Sequence, residues 1–310
     1  MRGIFPKNSV SVAAIALAAM GLAGFGLTAT PAHAAKAGKG GGYSKEFVAV
    51  AQPAQAEVQK ITDLKKSGAD KAQIVAAAAA ALAPVEAAAA AATSPTDKIA
   101  AGGFLFEVGN ASDKPDVAKR GVQMMIDSGQ VPAEKLGQYQ FYLGNFAYAS
   151  KDYATATKAL KAAADTGFQD DALGPLLIDS YGQAGQAREG IAAFKQLVAT
   201  RKAANQPIPD AWFSRASMVA YNGKLGAEAM DVATLWVAQN PNKLNFLNAA
   251  QMVRTFGGLD ASGLLDVFRL MDRSGALENE PKFVTSEYKE YVETADPRRF
   301  PGEVVRIIDK

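Results

Sequence analysis

The sequence predicts an all-α protein made of antiparallel helical hairpins that stack on one another, preceded by an alanine-rich helical segment. Three observations lead to this fold class. Ala, Leu, Lys, Glu and Gln dominate from Ser44 onward, whereas clusters of β-branched residues are rare. Apolar residues recur at helical spacing. Segments of similar pattern recur about 34 residues apart, which is the length of a helix–turn–helix unit.

The internal repeat appears in two sets of positions. Small or packed residues recur at offsets of 34, 38 and 34, at positions 144, 178, 216 and 250. The predicted turn between paired helices follows seven residues later, at Lys151, Gly185, Gly223 and Gly257. We assign the four extra residues of the second interval to a surface loop at 205–209. The regular spacing favours stacked hairpins over the alternative, an irregular helical bundle.

Residues 142–163, YLGNFAYASKDYATATKALKAA, form the clearest unit. This segment resembles a tetratricopeptide repeat (TPR), and the positions that match the family pattern are Leu143, Gly144, Ala147, Tyr153, Ala156, Leu160 and Ala163. Three less complete units follow, so that the resemblance covers residues 137–275. It implies a right-handed superhelix in which the first helix of each hairpin lines a groove. In the residues themselves, Tyr153, Ala156 and Leu160 share one helical face.

Helical signals extend on both sides of these repeats. We predict an N-terminal helical region at 44–136 and a C-terminal helical cap and tail at 276–310. Capping signals in the first region place its helices at 45–66, 69–92, 94–109 and 113–128. We expect Pro84 to start a second segment of the 69–92 helix, because proline suits a first turn. Glu86 interrupts the alanine run there, which favours a close-packed helix over a membrane element.

The first 34 residues have the pattern of a cleavable export signal. Arg2 and Lys7 precede an apolar run at 12–28, and a small-x-small site ends at Ala34. A retained membrane anchor is the alternative, but the Ala and Gly content and the cleavage site favour removal. We therefore expect a periplasmic protein without membrane insertion after cleavage. The Gly- and Lys-rich residues 35–43 form a predicted flexible linker.

Charge and residue usage narrow the functional classes. The chain has 33 Lys+Arg and 31 Asp+Glu, and the leader removes two basic residues, so the mature chain is neutral and nucleic-acid binding is disfavoured. There is no Cys, and the single histidine, His33, lies in the leader. The mature chain therefore lacks the side chains of Ser-His-Asp and Cys-His triads and the usual zinc, haem and iron–sulfur ligands. We predict no catalytic, cofactor-binding or metal-binding residues.

The TPR resemblance implies a peptide-binding groove on the first helices of the hairpins. Aromatic and amide side chains in this groove suit an extended or helical peptide. The cations that TPR domains use to clamp a C-terminal carboxylate are few. The predicted groove residues are Phe141, Asn145, Tyr148, Asp179, Gly182, Phe213, Tyr221, Gln251 and Arg254.

Two functions of different classes remain open at this stage. The first is a cell-envelope scaffold that binds another protein or peptide without catalysis. The second is a carboxylate-dependent cell-wall (murein) hydrolase or its accessory subunit, because many glycosidases act through two carboxylates. The segments 127–129 and 165–167 imitate the two loops of an aspartic protease, but they end amphipathic helices, as residues 272–275 also do. We therefore interpret the glycines of all three segments as left-handed helix caps, at Gly129, Gly167 and Gly275.

The export signal gives the first testable expectation. The purified mature protein should begin at Ala35, because the small-x-small site ends at Ala34. N-terminal sequencing of the protein from the envelope fraction measures this directly. Recovery of Met1 in the membrane fraction would show that the leader is a retained anchor.

Overall fold

The computed structural model describes residues 42–278 and 284–309. Within these ranges the chain forms fourteen α-helices and one short 3-10 helix, without a β-strand, which confirms the all-α class. The predicted leader at 1–34 and most of the linker at 35–43 lie outside the described residues, so the cleavage site stays a prediction. The chain divides into two compact units, the first ending at Leu176 and the second starting at Leu177.

The first unit contains three helical hairpins and the beginning of α7. Three or four residues join the two helices of each hairpin, and a connection this short makes them antiparallel. The helices are α1 (Lys45–Lys66), α2 (Lys71–Ala91), α3 (Pro95–Ala111), α4 (Pro115–Asp127), α5 (Ala133–Ala149) and α6 (Tyr153–Asp165).

The second unit contains most of α7 and seven further helices. Three to five residues join the helices of each pair, so this unit is also built from hairpins. Its helices are α7 (Leu173–Gln183), α8 (Ala187–Ala203), α9 (Asp210–Asn222), α10 (Gly226–Gln239), α11 (Lys243–Phe256), α12 (Ala261–Ser274), α13 (Val284–Ala295) and α14 (Pro301–Ile308). The 3-10 helix, Ala276–Glu278, follows α12.

Asp97 joins the starts of two helices in the first unit. Its side chain is completely buried. The carboxylate accepts hydrogen bonds from the backbone N of Ser44 at 3.0 Å and its Oγ at 2.8 Å, at the start of α1. It also accepts from the backbone N of Ser94 at 3.0 Å, at the start of α3. Burial acts to raise the pKa of Asp97, but the hydrogen bonds from Ser94 and Ser44 outweigh it and hold this pKa below its ordinary value.

In two hairpins, α3–α4 and α5–α6, the two paired helices approach each other closely at a glycine. A Cβ added to Gly102 of α3 would lie 2.6 Å from the carbonyl oxygen of Gly121 on α4. A Cβ added to Gly144 of α5 would lie 2.7 Å from Cδ2 of Leu160 on α6. Neither position has room for a side chain without displacing its neighbour. The small residue of the first predicted repeat, Gly144, therefore lies at a close helix crossing.

The alanine-rich helix α2 differs from its prediction at one position. Pro84 does not start a new segment, because α2 runs without interruption from Lys71 to Ala91. Proline removes one backbone hydrogen bond from a helix interior. The buried residues Ala81 and Val85 of α2 pack in the same core as Phe47 of α1, and this packing sustains the helix across the proline.

Helix α2 also has the length and apolar composition of a membrane-spanning helix, and it is the one such helix among the residues described. Of its most apolar window, 28% is buried inside the protein. The core helix of a soluble protein passes the same test, so this property is weak evidence for a membrane segment.

Two of the four turns between paired helices have their left-handed residue at the predicted repeat position, and two have it one residue later. Lys151 and Gly185 adopt left-handed backbone angles, with φ of 61° and 76°, at their predicted positions. In the next two turns the left-handed residue comes one position later, at Lys224 and Gly258. Residues 205–209 form a loop between α8 and α9, as predicted, but α8 has 17 residues where α6 has 13, so the extra length of this interval lies in the helix. The three predicted left-handed caps are confirmed by positive φ at Gly129, Gly167 and Gly275.

The buried carboxylate of Asp97 gives a prediction about acid stability. Asp97→Asn should lower the free energy of unfolding at pH 7 by about 1–3 kcal/mol, because the amide cannot accept all these hydrogen bonds. The folded pKa of Asp97 lies below its ordinary value of 3.8, so the ionised group stabilises the fold above pH 3.8 and loses this effect as the pH falls further.

Urea denaturation at pH 7 and at pH 3 measures the effect. The difference between wild type and Asp97→Asn should shrink at the lower pH. Asp116→Asn is the matched control, because the Asp116 side chain is 72% exposed. A deficit of Asp97→Asn that stays constant over this pH range would contradict the proposed role of the charge.

Candidate interaction surface

Helices two apart along the chain contact one another, and the first helices of successive hairpins show this clearly. In the first unit, the ring of Phe106 on α3 lies 5.9 Å from that of Phe146 on α5, edge to face. In the second unit, Arg215 Nη1 on α9 lies 3.2 Å from Asp179 Oδ1 on α7. Each first helix in these pairs therefore packs on the equivalent helix of the next hairpin.

The second helices of successive hairpins are joined in the same way. Arg120 on α4 donates two hydrogen bonds of 2.8 Å to Glu86 on α2. Lys119 on α4 lies 3.1 Å from Asp152 at the start of α6. In the second unit the corresponding pairs are Lys195–Asp231, Arg269–Glu303 and Arg306–Asp272. The partners in all these pairs are 33 to 36 residues apart, which is the length of one hairpin.

The C-terminal helices form a further hairpin of the same stack, within the region that the sequence predicts as a cap and tail. Glu303 on α14 accepts from Nε and Nη2 of Arg269 on α12, at 2.9 and 2.7 Å. The hydroxyl of Tyr291 on α13 donates to Glu303 at 2.6 Å. Pairing with Arg269 lowers the pKa of Glu303, although burial opposes this change. Glu303 therefore joins α14 to α12 through an ion pair and to α13 through a hydrogen bond.

Two predicted groove residues belong to the core instead. Phe141 is 1% exposed, and its ring lies 5.4 Å from that of Phe168, in the segment that follows α6. Phe213 is fully buried between Phe194 of α8, at 5.3 Å, and Trp236 of α10, at 6.0 Å. The prediction that Phe141 and Phe213 line a groove is therefore wrong, because aromatic residues from other elements cover these rings.

Two charged groove residues are paired inside the protein. The side chains of Asp179 and Arg215 are only 9% and 12% exposed. Arg254 donates to Glu287 on α13 at 3.0 Å, also pairs with Glu290, and stacks over the ring of Phe268. Gly182 lies where α7 approaches α9, since an added Cβ would be 2.9 Å from Val219 Cγ2. Asp179 and Gly182 therefore lie at the contact between α7 and α9, and Arg254 joins α11 to α13.

The other predicted groove residues are partly exposed, and each unit carries two of them. Asn145 and Tyr148 lie one helical turn apart on α5, where the Tyr148 ring is 5.6 Å from Tyr153. In the second unit, Tyr221 packs edge to face with Phe256 at 5.6 Å. Gln251 on α11 has a buried Oε1 atom without a hydrogen-bond partner among the described residues. Aromatic and amide groups therefore remain as the candidate contacts on the first helices.

Three carboxylates of the described residues have a pKa shifted in the direction opposite to that of a catalytic acid. A catalytic acid requires a raised pKa. The pKa is instead lowered at Asp97, Asp152 and Glu303, because hydrogen bonds from serine, threonine, tyrosine and cationic side chains stabilise the charged form against burial. Within residues 42–278 and 284–309, no group of three or more His, Cys, Asp and Glu is placed to hold a metal ion.

Comparisons with known proteins add little to this description. No family model and no curated protein matches the chain. One solved structure that aligns with it comes from work described as functional characterization of Pseudomonas aeruginosa pilF. The alignment has 16% sequence identity and a TM-score of 0.34, and it covers 78% of this chain and 98% of that one. A similarity at this level carries no argument about fold or function.

The buried pair Asp179–Arg215 gives a prediction that separates a structural role from a binding role. Asp179→Ala should lower the free energy of unfolding by about 3–5 kcal/mol, because it leaves the Arg215 charge buried without its partner. Adding Arg215→Met should recover part of that loss. Denaturation followed by circular dichroism measures both.

The exposed pair Lys195–Asp231 provides the control. Its side chains are 42% and 61% exposed, so Lys195→Ala should cost less than about 1 kcal/mol. If Asp179→Ala is as mild as Lys195→Ala, Asp179 does not hold α7 and α9 together.

Proposed function

We propose that this protein is an exported, periplasmic TPR-like scaffold that binds a segment of another cell-envelope protein and has no catalytic activity. The observation that carries the proposal is the set of contacts between equivalent helices one hairpin apart. Such stacking places successive first helices side by side, and a row of side chains on neighbouring helices is a surface suited to an elongated ligand. The periplasmic location rests on the leader sequence.

The chemistry of the partly exposed residues supports a peptide ligand. Tyr148 and Tyr221 offer flat apolar faces with a hydroxyl, which are typical anchors in protein interfaces. Asn145 and Gln251 carry amides that can donate to and accept from a peptide backbone.

Ion pairs within the protein restrict the class of peptide that this surface can bind. Arg254 is a predicted groove residue and Arg215 pairs with another, Asp179, so both cations already bind carboxylates of this chain. A ligand that depends on its terminal carboxylate would have to displace these pairs. We therefore expect recognition of an internal, partly apolar peptide segment.

The proposal predicts that one aromatic residue affects binding while a neighbouring core residue affects stability. Tyr148→Ala should change the free energy of unfolding by about 1 kcal/mol or less and reduce capture of the partner, because Tyr148 is partly exposed. Leu160→Ala should cost about 2–5 kcal/mol, because Leu160 is fully buried against Gly144. Thermal melts and affinity capture from envelope extract measure the two effects.

Lys158→Ala is the control for both measurements, because Lys158 is an exposed residue of α6. It should melt and capture like the wild type. Unfolding of Tyr148→Ala would place Tyr148 in the core. Normal melting with undiminished capture would show that the partner binds elsewhere.

A further inference from the structure

The hairpin of α13 and α14 carries a pocket on its surface. The pocket has a volume of about 540 Å³ and lies along the two helices. Its apolar walls come from Tyr288 and Val292 of α13 and from Ile307 and Ile308 of α14. Its polar rim includes Lys289 and Glu293. An apolar centre surrounded by a polar rim is the usual composition of a protein interface.

Helix α14 presents apolar residues on two faces. Val304 and Ile307 are buried against the rest of the unit. Val305 and Ile308 point away from it and are 59% and 68% exposed, which makes them the most exposed large hydrophobic side chains among the described residues. Ile308 both lines the pocket and projects from its edge, so the same surface offers a cavity and a side chain that fits one.

The charges on the rim of the pocket have a self-complementary arrangement. Lys289 and Glu293 lie one turn apart on α13, with side chains 76% and 66% exposed. Their own ion pair is long, at 3.9 Å, and an exposed pair of this kind contributes little stability. If a second α13 runs antiparallel to the first about a two-fold axis, Lys289 of each copy faces Glu293 of the other. Two ion pairs then form across one interface.

We propose that this pocket is the homodimer interface, and that its occupant is the same surface of a second copy of the chain. Ile308 of each copy enters the pocket of the other, and the two Lys289–Glu293 pairs close the rim. The interface is isologous, so one patch supplies both the apolar projection and the cavity that receives it. The proposal is independent of peptide binding on the first helices.

The first experiment measures the oligomeric state of the full exported chain. Sedimentation velocity over a range of concentrations should show a reversible monomer–dimer equilibrium. Ile308→Asp should weaken dimerisation by at least about 10-fold, because it places a charge in the apolar pocket of the partner. Leu244→Asp is the matched control, since Leu244 is 47% exposed on α11 and outside the pocket, and it should dimerise like the wild type.

The second experiment tests the two-fold arrangement itself. Lys289→Glu places Glu against Glu at both rim contacts, and Glu293→Lys places Lys against Lys, so each single variant should be monomeric. An equimolar mixture of the two should form a heterodimer, because every Glu then faces a Lys. The double variant Lys289→Glu with Glu293→Lys should dimerise like the wild type. All these positions are exposed, so thermal melts of the variants should match the wild type.

The oligomeric states of the wild type, the single variants and their mixture together test the proposed interface. Dimers that are lost in the single variants and restored in the mixture support the proposed interface. A wild-type chain that stays monomeric overturns the proposal and leaves the pocket to a different protein. Single variants that still dimerise, or a mixture that fails to associate, show that any dimer uses another surface.

Discussion

A helical hairpin cannot bury its apolar face alone, and this constraint determines most features of the structure. Each hairpin needs the next one as its cover. Ion pairs between successive hairpins recur at separations of 33 to 36 residues, as in Glu86–Arg120 and Arg269–Glu303. Glycines at Gly102 and Gly144 allow the two helices within a hairpin to approach closely.

Features that depend on a few adjacent residues could be predicted from the sequence. Ser44 and Ser94 start helices because each side chain caps the backbone three residues later. Gly129 ends α4 because glycine adopts the left-handed conformation without strain. The order of the hairpins also follows from local pattern. For this reason the all-α class agrees with expectation, and the four predicted N-terminal helices begin and end within two residues of their expected limits.

Features that depend on distant residues could not be predicted in this way. A helical pattern shows which residues share a face, but not which neighbour covers it. Phe141 and Phe213 look like groove residues until Phe168 and Trp236 are placed against them. The same holds for Asp179, whose role depends on an arginine 36 residues later. Once the repeat length is known, such pairs can be predicted by searching the sequence for opposite charges that are one hairpin length apart.

The contacts between hairpins extend mainly to the next hairpin along the chain, and this has a mechanical consequence. Because the helices of a unit are joined mainly to the hairpins before and after them, a pulling force is resisted by one interface at a time. Each released hairpin of about 34 residues adds up to about 110 Å of extended chain. Within a unit we therefore expect the chain to lengthen in steps under load, because a hairpin that has lost one neighbour still has contacts with the other.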